Sequence, residues 1–397
     1  MVSFILLFAM ATCALANPAE NVEKAIGRSS EIFAARVYED IKNTKEGNLL
    51  ICPLSVQTVL ALVQAGAKTQ TSDEIGRALN LPEDKTKTQQ GFHKLMQSLN
   101  NADKVTLDIA NKVYIAKGFQ IASGFKEIAT NNFDAGIDNV DFARSAEAAQ
   151  TINQWVEEKT NEKIKNLIKP NDLNALTRMV LVNALYFKGT WKNTFDNYMT
   201  RKRDFYLNEH DTVQVNMMHQ TEWFNYAENA ALDCKFLEMP YVGDEFVMTI
   251  VLPNKKDGLA ALENKMAEVL APQNYKKERV DVMMPKFSVE ETIQFKEVLQ
   301  RLGMVVPFTD AADFSGLSET GEALTISKVI QKNFINVTES GTEAASATAV
   351  GIVTLSLPSF TEPAKIFKAE QPFIYTLRTR QGNTLLFVGR YSQPQLH

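Results

Sequence analysis

Histidine is scarce in this chain: His93, His210, His219 and His397 are the only four in 397 residues. None stands in H-E-x-x-H or another metal-ligand spacing, so zinc chemistry has no ligand set to use. Also missing are a G-x-S-x-G elbow, a G-x-G-x-x-G turn and a Walker lysine, which leaves no nucleophile with its base and no phosphate cradle. An enzyme is therefore not expected, nor a metal or a cofactor. Cysteine is as rare, at three. Cys13 lies in the apolar N-terminus, while Cys52 and Cys234 stand among apolar residues, which predicts two free, buried thiols rather than a disulfide. No long run of one charge sign occurs, and a net charge of −5 carries no nucleic-acid footprint. No repeat, low-complexity tract or Pro/Gly/Ser-rich linker divides the chain, so one interlocked domain is expected over residues 17–397.

Long apolar runs are missing too, apart from the first. Residues 1–16 are apolar and end in Ala14-x-Ala16, the pattern of a secretory signal peptide, although the usual basic start is absent. A span of about sixteen residues is short for a bilayer. The mature protein is expected outside the cell, off the membrane and monomeric.

What is present is ordinary globular composition, 45% hydrophobic, with two interleaved periodicities. Helical spacing of apolar residues covers 29–41, 55–66, 71–79 and 145–168. Strand-like runs cover 104–115, 177–187, 213–218, 246–251, 280–284, 326–337 and 383–388. Their mixing predicts an α+β fold with large antiparallel or mixed sheets. The sequon Asn336-Val-Thr338 falls in a strand-like run, where a glycan would obstruct pairing, so it is expected to stay unmodified. Basic residues gather at Arg201-Lys-Arg203 and Lys276-Lys-Glu-Arg279, with Lys85, Lys87, His93 and Lys94 scattered elsewhere. These read as solvated faces; a sulfated polysaccharide is the partner they would take if they bound one.

The most specialised stretch is Glu339-Ser-Gly-Thr-Glu-Ala-Ala-Ser-Ala-Thr-Ala349. In a strand, Thr342, Ala344, Ser346 and Thr348 would share one face, and all four are small. Glu343, Ala345 and Ala347 would share the other, where the one charge can stay in solvent. Gly341, free of the Cβ restriction on φ, sits where such a segment would hinge. Two readings of the run stay open on local composition: a surface linker, or a strand held in reserve for a gap in a preformed sheet.

Five motifs in order resemble the serpin family over nearly the whole chain. They are Pro53-Leu-Ser55, Leu181-Val-Asn-Ala-Leu-Tyr-Phe-Lys-Gly-Thr-Trp191, Met284-Pro-Lys-Phe287, the 339–349 run, and Phe367-Lys-Ala-Glu-Gln-Pro-Phe373 with Phe387-Val-Gly-Arg390. The resemblance implies three β-sheets, eight or nine helices and an exposed reactive-centre loop at about 339–365. It also implies suicide inhibition. A serine protease cuts the loop and is held as an acyl-enzyme while the freed strand enters the large sheet, with burial of Val350 and Ile352 helping to drive the step. On this resemblance Ser55, Asn183 and Gln331 form a shutter behind the sheet, and Trp191, Lys286 and Glu339 form the breach where insertion begins, with an ion pair from Lys286 to Glu339. Cys52 replaces the usual Ser and Gln331 the frequent His, so hydrogen bonding at the shutter must differ.

Counting the family's positions from Glu339 puts the scissile bond at Leu355-Ser356, which suits chymotrypsin-like or elastase-like pockets. Val353-Thr354 and Phe360-Thr361 compete, because the segment up to Phe367 is longer than is common; Leu357 is disfavoured by Pro358. The motifs are spelled like those of arthropod haemolymph serpins, which points to an immune or clotting-like cascade. A non-inhibitory carrier or storage protein is the alternative, and the small residues on the inserting face argue against it.

Overall fold

The computed structural model describes residues 18–320, 322–342 and 363–394. Among them are nine α-helices: α1 (Pro18–Ile41), α2 (Pro53–Gly66), α3 (Thr69–Ala78), α4 (Lys85–Asn100), α5 (Ser123–Phe133), α6 (Ser145–Lys159), α7 (Leu259–Glu263), α8 (Met266–Leu270) and α9 (Lys296–Arg301). The first eight strands are β1 (Leu49–Ile51), β2 (Val105–Ala116), β3 (Gly136–Val140), β4 (Met179–Thr190), β5 (Arg201–Tyr206), β6 (Thr212–Asn229), β7 (Cys234–Pro240) and β8 (Phe246–Pro253). Seven more follow: β9 (Lys276–Pro285), β10 (Phe287–Gln294), β11 (Ile326–Thr338), β12 (Gly341–Thr342), β13 (Lys365–Lys368), β14 (Phe373–Thr379) and β15 (Leu385–Tyr391).

Hydrogen bonding joins the strands into two networks. One has six strands in the order β10-β11-β12-β4-β2-β3; the other has nine, β1-β15-β14-β8-β7-β6-β9-β13, with β5 also on β6. The long strand β6 explains why three expected sheets appear as two networks. Its first part pairs with β5, its middle with β9 and its end with β7, so two sheets run on through one strand. The α+β class and the fold expected from the motifs are both present.

The six-stranded sheet is buried on both faces, which is why β4 reads as an almost unbroken apolar run. On one face Val113, Leu181, Leu185, Val329 and Val337 join the main core. On the other, Tyr114, Val180, Val182 and Ile330 pack under α6 through Ile152 and Val156. Behind the main-core face runs α2, opened by Pro53 in its first turn and buried at every residue except Ala65. A helix so enclosed has no polar face to turn outward. Burial pushes the Cys52 thiol just before it up to about 12, against hydrogen bonds from Ser55. Cys52 and Cys234 are both free and buried, and inert as protonated thiols.

One helix is shorter than its periodicity. Apolar spacing predicts 145–168, yet α6 stops at Lys159, and Asn161, Glu162 and Asn166 take positive φ. The apolar residues beyond it, Ile164, Leu167 and Ile168, are still buried in the same cluster as α6. Asn153 holds them there, accepting from the Ile168 amide at 3.0 Å and donating to its carbonyl at 2.9 Å. Tertiary packing thus keeps the helical spacing of contacts without the helix. Sequence periodicity also overlooks α4, whose start is marked by Asp84, the side chain of which accepts from the Thr86 and Lys87 amides.

Candidate functional site

The six-stranded sheet contains an anomaly between its central strands. β10 and β11 are antiparallel, as are β2 and β4, yet β4 and β11 lie side by side in parallel, with Gln331 opposite Asn183 and Phe334 opposite Tyr186. Two strands that flank a third in an antiparallel sheet are parallel to each other, so this contact is what such a sheet looks like with its middle strand left out. At the upper end the missing strand has begun. β12 pairs antiparallel to both neighbours: Gly341 faces Thr338 and Thr190, and Thr342 faces Val337 and Gly189.

Gly341 is required at that point. Its φ is +151°, and a Cβ there would lie 2.0 Å from the Gly189 carbonyl oxygen. Thr342, the next residue, is fully buried, and its hydroxyl meets the Tyr241 hydroxyl at 2.5 Å. Around them the breach residues converge. The Trp191 indole donates to Thr338 O at 3.0 Å, its amide donates to Ser340 O at 3.0 Å, and the Phe195 amide donates to Glu339 O at 2.9 Å. The expected ion pair is formed, with Lys286 Nζ 2.9 Å from Glu339 Oε2, while Thr200 donates to Oε1 at 2.8 Å. Burial would raise the Glu339 carboxyl, but hydrogen bonds from Lys286, from its own amide and from Thr200 outweigh it and hold the group below the usual range.

Farther down, where β4 and β11 pair directly, the expected shutter residues Asn183 on β4 and Gln331 on β11 stand in one row with Asn111 on β2, in register. Gln331 Nε2 donates to Asn183 Oδ1 at 2.5 Å and to Cys52 O at 2.8 Å, and its Oε1 accepts from the Cys52 amide at 2.9 Å. Asn183 Nδ2 donates to the Ser55 hydroxyl and to Asn111 Oδ1. Gln331 therefore does two things: it ties β11 to Asn183 on β4 and it grips the backbone at the start of α2. Cys52 contributes its main chain to that grip, so losing the usual hydroxyl costs the bridge nothing. Asn183→Ala is expected to destabilise the uncleaved protein by about 2–3 kcal/mol, because the buried groups of Gln331, Ser55 and Asn111 lose their partner. Urea unfolding measures this, and a loss under about 1 kcal/mol would show the row to be dispensable.

Asn111, Asn333 and Tyr241 belong to the site and were not singled out from sequence. Asn333 donates to Gln331 Oε1 at 2.7 Å. For Asn111 a signal exists: it shares a strand face with Ile109 and Val113, so an amide occupies a core position. Tyr241 follows the end of β7 with no local pattern to mark it. Glu343, Ala344, Ala345, Ser346, Ala347 and Thr348 lie outside the described residues, as do Leu355-Ser356, the competing bonds and residues 1–16. Asn336 lies within β11, opposite Ser288.

The basic clusters are not brought together. Arg201–Arg203 pair with β6 at 215–217, whereas Lys276–Arg279 pair with it at 223–226, and Lys85 already donates to Ala67 O at 2.6 Å. Among the described residues no group of three or more His, Cys, Asp or Glu could hold a metal, and no helix is long and apolar enough to cross a membrane.

With this geometry in hand, the comparisons with known proteins are specific. A family profile described as "Serpin (serine protease inhibitor)" matches residues 28–394. Alaserpin of Manduca sexta is 36% identical over 394 residues, covering 98% of each chain. The solved structure of Serpin48, described as a highly specific serpin of the insect Tenebrio molitor, superposes with a TM-score of 0.87 at 37% identity, over 93% of this chain and 98% of that one. Human thyroxine-binding globulin, solved in complex with its hormone, has a TM-score of 0.84 at 29% identity, over 95% and 100% of the two chains.

Proposed function

This chain belongs to the serpin family, and on that premise we propose that it is a secreted, monomeric suicide inhibitor of a serine protease. One observation carries the reading: Gly341 and Thr342 already sit antiparallel between β4 and β11, at the open upper end of a seam that closes below into direct β4–β11 pairing. Continuing that register gives every small residue of the hinge a place. Ala344 would lie between Ile335 and Phe187, Ser346 between Asn333 and Leu185, and Thr348 between Gln331 and Asn183, all facing the main core. Val350 would follow between Val329 and Leu181, adding apolar burial. Glu343 would fall on the opposite face, beside Lys188. A bulky or charged residue on the core-facing row would have nowhere to go.

The chemistry belongs to the target. Its serine attacks the carbonyl carbon of the residue before the scissile bond, the amide nitrogen leaves with a proton, and an ester joins protease to inhibitor. The new end at the cut is then free to enter the sheet, carrying the protease with it. Distortion of the oxyanion hole leaves the ester unhydrolysed. One inhibitor is consumed for each protease.

Leu355-Ser356 is the bond we assign, which makes chymotrypsin-like or elastase-like enzymes the targets. Residues 1–16 support secretion, and the likeness to insect serpins supports a role in an immune protease cascade. Mixing the protein with chymotrypsin, elastase and trypsin should give an SDS-resistant complex and release a peptide beginning at Ser356. A peptide beginning at Thr354 or Thr361 would move the bond, and no complex with any of the three would overturn the inhibitory reading.

A further inference from the structure

We propose that Tyr241 is a latch that seats the base of the reactive-centre loop in the gap and so starts insertion. The second half of this statement rests on the inhibitory reading above. Tyr241 is fully buried and held on every side. Its ring stacks on Trp191 at 4.4 Å and meets Phe187 edge-on at 5.0 Å. Its amide donates to Phe246 O at 3.1 Å. β4 makes room for the ring with Gly189, where a Cβ would lie 2.7 Å from Tyr241 Cδ1. A ring fixed in this way presents its hydroxyl to one place, and the group found there is the hydroxyl of Thr342, itself without exposure.

An ordinary core tyrosine would bond to a permanent part of the fold. This one bonds to the last residue of β12, the residue that must move if the loop base leaves the sheet. Withdrawal of Thr342 would strand a buried phenol, and an unpaired buried donor costs more than the bond itself contributes. Burial also pushes the Tyr241 phenol far above its ordinary range, against the hydrogen bond with Thr342, so the hydroxyl stays protonated and uncharged at working pH. The consequence for insertion is kinetic. Seating a first residue fixes the chain before any ladder bond rewards it, whereas later residues add to a strand already begun. The latch keeps that first step done.

Hydrogen exchange of the 338–342 backbone in the uncleaved protein tests the latch without any protease. Tyr241→Phe and Thr342→Val each keep shape and remove one hydroxyl. Each should raise exchange at Gly341 and Thr342 by about two- to tenfold, and the double variant should go no further than either single one. Unchanged exchange in Y241F, or single effects that multiply in the double variant, would overturn the latch. A second arm uses a protease that the wild type traps: Y241F should shift the outcome from trapped complex toward cleaved inhibitor. An unchanged partition alongside raised exchange would overturn the part played in insertion. Should the wild type trap no protease, the inhibitory reading fails while the exchange arm still decides the latch.

Discussion

A Thr342→Arg variant is expected to be cut by the target protease and released, with covalent complex reduced by at least about a hundredfold. The site is fully buried against Tyr241, with Val337 and Gly189 on either side. None of these three neighbours is acidic, and an unpaired buried charge costs several kcal/mol, where about 2.8 kcal/mol already makes the factor. The variant should therefore hold its loop base outside the sheet, and strand growth would lack its first residue. Cleavage itself should be unaffected, since the proposed bond after Leu355 is 13 positions farther on in the sequence (355 − 342). Thr342→Ser, which keeps a small hydroxyl, should remain an inhibitor. Complex and cleaved product are separated on a denaturing gel; a normal complex band from T342R would remove the seated hinge from the mechanism.

The second large effect is thermal. After a cut in the 343–362 span, the protein should unfold at a temperature more than about 20 °C above that of the intact form. At present β4 and β11 share a single parallel ladder across Met179–Tyr186. A strand inserted between them would replace it with two antiparallel ladders, on the order of ten additional hydrogen bonds at about 1 kcal/mol each. The intact protein is then held by a barrier rather than by its depth. Calorimetry before and after cleavage with a non-target protease gives the answer. Equal midpoints would favour the non-inhibitory alternative, a carrier or storage protein.

Much of this was legible in the sequence because the informative residues are punctuation. Gly341 opens β12 between β4 and β11, and the motifs around Asn183 and Lys286 hold residues that the structure brings to their expected neighbours, Asn183 to Gln331 and Lys286 to Glu339. Strand cores were found where apolar residues alternate, as in β2, or run on, as in β4. What stayed hidden depends on contacts between distant segments. That β4 and β11 are parallel neighbours follows from pairing 148 positions apart, as in the Gln331 bond to Asn183, and no local pattern encodes it. Tyr241 is invisible for the same reason, since its partner is 101 residues away. The helix expected over 145–168 shows the converse error, where an apolar period persists because packing demands it after α6 has ended at Lys159.

The two ends of the loop are tied to different sheets. Thr342 is fixed in the six-stranded network, while Lys365 begins β13, paired in parallel with β9 at the edge of the nine-stranded one. On the proposed mechanism the intact chain between them tethers the segment that would enter the sheet, and a cut frees it. On that mechanism one peptide bond would be a mechanical fuse for the entire molecule. A protein working this way would respond to an act rather than to a shape: a ligand that only touched the 343–362 span would leave it unchanged, whereas hydrolysis would spend the device once, while its attacker is still attached.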